Sequence, residues 1–266
     1  MNINLSYRAL LPAVSLFVLF GGIIWVFNVL VQSSFPGNHL FPVVVRVALL
    51  VGVLTLTYYV NIKFIRKNGL NAGILNFRRG SIQQYLLGSL IAILVIVAIW
   101  AIIYLVYPFD IINNANSKTN LVTDLITYSL GNTLEELLFR GFLLLAAVRL
   151  LGKINGVLFI SLLFGLFHLQ GTGMTMEGIS MFITTFTMSL LFISVIYYSK
   201  SIWTAVTLHI TGNLLLHTIG FDGANNGMVH IRFATSNTNG LLITLIYEMV
   251  VLTFALFLFS RAEKQI

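Results

Sequence analysis

The chain has 266 residues, 58% of them hydrophobic and 9% charged, with a formal net charge of +7 and no cysteine. That composition excludes a soluble globular protein, and the missing cysteines exclude disulfides, thiolate metal sites and a cysteine nucleophile. Nucleic-acid binding is excluded as well, because Lys and Arg fall between apolar segments and do not line one amphipathic face.

In chain order, Arg8 precedes an apolar run, 9–31, that is too long for a signal-peptide core and reads as a retained first span. A polar turn at 33–42 leads to a second span at 43–62, with Arg46 able to snorkel at its end. Lys63, Arg66, Lys67, Arg78 and Arg79 then form the densest basic cluster, which places this loop in the cytoplasm. A third span covers 85–107 and is followed by an asparagine-rich loop, 108–120, expected outside. The fourth, 121–148, ends at a cytoplasmic turn holding Arg149 and Lys153. Spans five to eight are expected at 154–169, 179–198, 202–219 and 241–260, with Lys200, Arg261 and Lys264 inside and a glycine- and asparagine-rich loop, 220–240, outside.

Of the fifteen Lys and Arg, this topology puts eleven inside, three outside (Arg46, Lys118, Arg232) and one, Arg140, within a span. The bias predicts eight spans with both termini cytoplasmic. The expected fold is therefore all-α, a polytopic transmembrane helical bundle forming a single integral membrane domain over residues 1–266. No internal repeat is visible, nor the paired interrupted helices of many transporters.

The fourth span carries the stretch that stands out. Asn132-Thr-Leu-Glu135-Glu136-Leu-Leu-Phe-Arg140-Gly141 sets three charges in an apolar run. Each costs roughly 2.5–3.5 kcal/mol near a bilayer centre, so such residues face a protein interior or a wet cavity and mark function. Glu136 and Arg140, four apart, share a helix face and can pair, while Glu135 is turned about 100° away. A structural Glu–Arg pair would explain Glu136 and leave Glu135 unexplained. In the fifth span Phe164 and His168 are one turn apart, and in the seventh so are His209 and Asn213. Taken alone, each His is as well explained by packing. Counted from the Arg149–Lys153 turn, Glu135 and His168 both lie about 20 Å deep on adjacent antiparallel helices, so they can meet. His209, about 14 Å from the same side, reaches them if helices tilt or the fourth breaks near Gly131. His39, His217 and His230 read as non-catalytic.

Glu135-Glu136-x-x-x-Arg140, Phe164-x-x-x-His168 and His209-x-x-x-Asn213, in this order on successive hydrophobic segments, resemble the three motifs of the CPBP intramembrane proteases, the CAAX-protease and bacteriocin-processing (Abi) family. The resemblance covers 121–219, expected as the catalytic core. It implies an eight-helix intramembrane endopeptidase in which Glu135 activates water and His168, His209 and Asn213 assist, with chemistry facing the cytosol. The depth of Glu135, past the midplane from Arg149, pulls against that last expectation. The resemblance also implies a membrane-associated peptide or protein substrate, lipidated in eukaryotic members, and a multi-pass protein of a bacterial plasma membrane. Substrate identity does not transfer, because the first three spans and the last match no motif.

Two questions stay open at the level of sequence. Glu135, His168 and His209 could instead form a His₂Glu set holding zinc with an open water position, although no H-E-x-x-H is present. The same network could also serve a transporter, or an immunity or scaffold protein without catalysis.

Overall fold

Long Leu, Ile and Val runs can satisfy their backbone in lipid only as helices, and helices dominate. The computed structural model describes residues 15, 18–19, 21–23, 40–60, 82–114, 117, 120–171, 173–219, 227–234 and 239–263. Most of the first expected span, the basic cluster 63–79, and Arg8, His39, Lys118 and Lys264 lie outside the described residues. The elements are α1 (Leu40–Val60), α2 (Ile82–Val106), β1 (Phe109–Asn113), α3 (Leu121–Glu136), a π-helical segment (Leu137–Leu143), α4 (Leu144–Leu151), α5 (Lys153–Phe167), a 3₁₀ turn (His168–Gly171), α6 (Met176–Ser199), α7 (Ile202–Thr218), β2 (Val229–Phe233) and α8 (Gly240–Glu263). Among the described residues, α2, α6 and α8 are long and apolar enough to cross a membrane, and α5 is a shorter apolar helix. The fold is all-α in its bundle, as the sequence predicts.

Local signals set the helix ends. The Asn120 side chain accepts from the N–H groups of Val122 and Thr123, Thr175 from Gly178, and Ser201 from Trp203, satisfying donors that a helix start leaves unpaired. The α2 helix packs along α7, and α6 along α8 and α5. Ile91, Val95, Ile99 and Ile103 recur every four residues on the buried face of α2. Its other face stays apolar too: Val97 is 58% and Leu105 81% exposed, as expected where lipid replaces water. Hydroxyl bonds, among them Ser189 to Ser161 and Thr211 to Ser89, both 3.0 Å, tie helix to helix inside the bundle.

Two expectations change. The fourth span does not break near Gly131, which lies in unbroken α3; the irregularity comes later, where the Leu144 N–H reaches the Phe139 carbonyl five residues back and Gly141 leaves helical geometry at φ −67°, ψ −106°. The loops after α2 and α7 also are not wholly irregular. Phe109–Asn113 pairs antiparallel with Val229–Phe233. Phe109 anchors this ribbon on α2 by edge contacts with Trp100 and Tyr104 at 5.4 and 5.3 Å.

Gly88 shows how tightly α2 and α7 meet. A β-carbon there would collide with the Thr207 hydroxyl and the Thr204 backbone carbonyl. In an open helix Gly→Ala stabilises by about 0.5–1 kcal/mol. Here overpacking, typically about 1–3 kcal/mol, outweighs that gain, so Gly88→Ala should lower the melting temperature of the detergent-solubilised protein.

Candidate active site

The site begins with three residues on one stripe of the fourth span: Asn132, Glu136 and Arg140, spaced by four. Glu136 and Arg140 are fully buried, and Arg140 Nη1 donates to Glu136 Oε1 at 3.1 Å. The same Oε1 lies 2.9 Å from His209 Nδ1 on α7. One carboxylate oxygen thus joins two helices through two nitrogen donors. The Arg140 guanidinium rests on the Phe164 ring, 3.9 Å from its centroid, with the Phe192 ring at 5.1 Å. Its Nε and Nη2 have no hydrogen-bond partner among the described residues, so ring faces supply part of its stabilisation; a desolvated cation–π contact is worth about 2 kcal/mol.

Glu135, one residue earlier, is turned away from this pair. Its Oε2 lies 3.8 Å from His168 Nε2, and the two side chains keep 21% and 23% exposure where Glu136 and Arg140 have none. His168 sits just past the end of α5, in the 3₁₀ turn, and its Nδ1–H donates to the Phe164 carbonyl at 2.8 Å. In the neutral ring that bond selects the tautomer whose Nε2, directed toward Glu135, is an acceptor. Phe164 therefore supports the site twice, through its ring beneath Arg140 and its carbonyl on His168. The sequence showed only its spacing.

Asn213, one turn beyond His209, donates from Nδ2 to Asn132 Oδ1 at 3.2 Å. His168, His209 and Asn213 all line a cavity of about 550 Å³ whose other walls include Phe192, Met188 and Tyr247. His209 stacks on Phe192, with centroids 4.5 Å apart. All six residues singled out in the sequence lie in or beside this cavity. They divide into a buried set (Glu136, Arg140, His209) and a reachable pair (Glu135, His168), with Asn213 on the cavity wall.

The zinc set does not assemble in this arrangement. His209 turns its Nδ1 to Glu136 while Glu135 faces His168, and no three His, Asp or Glu side chains among the described residues converge as metal ligands.

Several further residues of the site carry only faint signals in the sequence. Asn132 is marked there by nothing beyond its spacing, four before Glu136. Asp124 and Glu248 are further acids within spans, the same signal that marked Glu135. Asp124 Oδ2 lies 3.6 Å from His217 Nε2, and His217 lines the same cavity. Glu248 on α8 accepts from Thr184 at 2.7 Å and from Thr187, clasping α6. His230 lies in β2, opposite Ile112.

The two glutamates should respond differently to the same change. Glu136→Gln leaves Arg140 buried without its carboxylate, a loss of about 3–5 kcal/mol, and should lower the melting temperature markedly. Glu135→Gln, at a partly exposed position, should shift it little. Thermal unfolding of both variants in one detergent checks this.

Comparison with known proteins agrees with the motifs. A search of curated proteins finds no match. Residues 117–215, however, match the family model described as type II CAAX prenyl endopeptidase Rce1-like. The matched stretch contains Glu135, Glu136, Arg140, His168, His209 and Asn213, and the match is to the CPBP, or CAAX protease, family.

Proposed function

We propose that the chain is an intramembrane endopeptidase in which Glu135 and His168 together activate the attacking water. The observation that carries this reading is the division of the two glutamates, one locked between Arg140 and His209 and the other facing an imidazole on a cavity wall. With His168 neutral, Glu135 Oε2 and His168 Nε2 are both acceptors. A water donating to both at usual lengths would hold them about 4.4 Å apart, so the 3.8 Å separation needs only a small side-chain adjustment.

In this reading water adds to the scissile carbonyl as one of its protons passes to Glu135, and the tetrahedral intermediate collapses as Glu135 returns that proton to the leaving amine. Asn213 has a second amide N–H to offer the oxyanion, since its bond to Asn132 uses one. His209 fits this role less well. Its Nδ1–H is engaged by Glu136, so its Nε2 carries a proton only in the imidazolium form. We assign His209 first to holding Glu136, and through it the helix that carries Glu135.

The family match supports a membrane-associated peptide substrate. The bundle, with 266 residues in one integral membrane domain and a catalytic core at 121–219, is read as a multi-pass membrane protein. A scaffold reading accounts for the buried set equally well but gives Glu135 facing His168 no role, and a transporter would use that pair as a proton relay without cleaving a peptide.

The test is turnover of internally quenched peptides with apolar flanks by purified protein in lipid. Glu135→Gln should lower kcat by about 10²–10⁴, the usual contribution of a general base, with KM near the parent value. Wild-type turnover by this variant would remove Glu135 from the chemistry. Asn213→Leu should lower kcat by about 10²–10³ if its amide meets the oxyanion.

A further inference from the structure

The cavity runs from a closed inner end, within the bundle, to an open end near one set of helix termini. At the closed end Phe164 and Phe192 are 1% and His209 6% exposed. Outward along the same helices the lining passes to Met181, 42% exposed, the half-buried Ser180, His217 and Thr244, and the exposed Glu177. Each of these outer residues lies near the start of α6, the end of α7 or the start of α8. Those helix ends adjoin the β1–β2 ribbon, as the bond from the Asn239 N–H to the Tyr107 hydroxyl at the end of α2 shows. Lys200 and Arg261 lie at the other ends of α6 and α8, and the α4–α5 turn with Arg149 and Lys153 is on that side too, Lys153 Nζ resting over the Tyr197 and Phe259 rings. Lys200, for example, is 23 residues beyond Glu177 on α6, about 35 Å along a helix.

The end that carries these basic residues, together with the sequence cluster Lys63, Arg66, Lys67, Arg78 and Arg79, is the end that the charge bias assigns to the cytoplasm. From the cavity's direction and this bias, we propose that the mouth opens on the non-cytoplasmic face. The substrate class is then an apolar peptide segment presented from the outer leaflet or the external side, and a cytosolic chain terminus is excluded. The lining suits such a segment, since Met181, Met188, Leu216 and Ile243 offer apolar and partly adaptable walls. The substrate class rests on the peptidase reading above; the side on which the mouth opens does not.

The chain has no cysteine, so single substitutions report directly. Ser180→Cys at the mouth and Lys200→Cys at the opposite end would be expressed in the full-length protein and exposed, in intact cells, to a membrane-impermeant maleimide. Ser180→Cys should be labelled without permeabilisation, and Lys200→Cys only after it. Labelling of Ser180→Cys only after permeabilisation, or in neither state, overturns the proposal. The same pair in a Glu135→Gln background should label identically, so the side of access is read independently of catalysis. Sealed right-side-out vesicles should then cleave an added impermeant peptide and inside-out vesicles should not. External labelling without cleavage in either orientation would remove the peptidase reading while leaving the sidedness in place, and cleavage only by inside-out vesicles would refute the external substrate class.

Discussion

The interaction on which the site depends is the one Glu136 Oε1 makes with both Arg140 and His209. A fully buried guanidinium is costly to desolvate, and neutralising it takes a carboxylate at hydrogen-bond distance plus a favourable surface for the nitrogens left over. Glu136 supplies the first and the Phe164 and Phe192 rings the second. Because His209 belongs to α7, the same carboxylate also sets where α7 lies against the fourth span. Asn213, one turn farther along α7, then falls opposite Asn132, one turn before Glu136.

Fixing Glu136 determines what Glu135 can do. The two are adjacent on a helix, so with Glu136 aimed into the dry core Glu135 points to a different side, where the end of α5 brings His168. His168 depends on its own helix end: its ring bonds back to the Phe164 carbonyl, which fixes the imidazole and its tautomer together. The π-helical segment begins directly after Glu136. It rotates the following residues relative to an α-helix, and Arg140 within it still closes on Glu136. Buried charge, aromatic surface and helix irregularity therefore occur within one turn of each other and set a reachable carboxylate and imidazole side by side.

Much of this was legible in the sequence because it follows from helical period and depth. The i, i+4 spacing gives the Glu136–Arg140 pair. Counting residues from the Arg149–Lys153 turn gives the level at which Glu135 and His168 meet. What failed was whatever depends on the rotation of one helix against another. His209 was placed at a suitable depth, but counting could not tell which glutamate it would face, and so the ligand set drawn for zinc mixed residues that the packing separates. The π-helical segment is equally silent, since one extra residue per turn leaves no mark on an evenly apolar run. The ribbon was hidden because its two strands are five residues each and more than a hundred residues apart in the chain. Asp124 and Glu248 are legible as acids inside spans, but neither has a basic partner three or four residues away on its own helix to mark what it does.

Arg140 is coupled more strongly to Glu136, which it contacts directly, than to Glu135. A double-mutant cycle on thermal unfolding in lipid, built from Glu136→Gln, Glu135→Gln and Arg140→Met, measures this directly. The expected result is a coupling well above about 1 kcal/mol between positions 136 and 140 and a clearly smaller one between 135 and 140. Strong coupling of Glu135 to Arg140, with Glu136 additive, would contradict it.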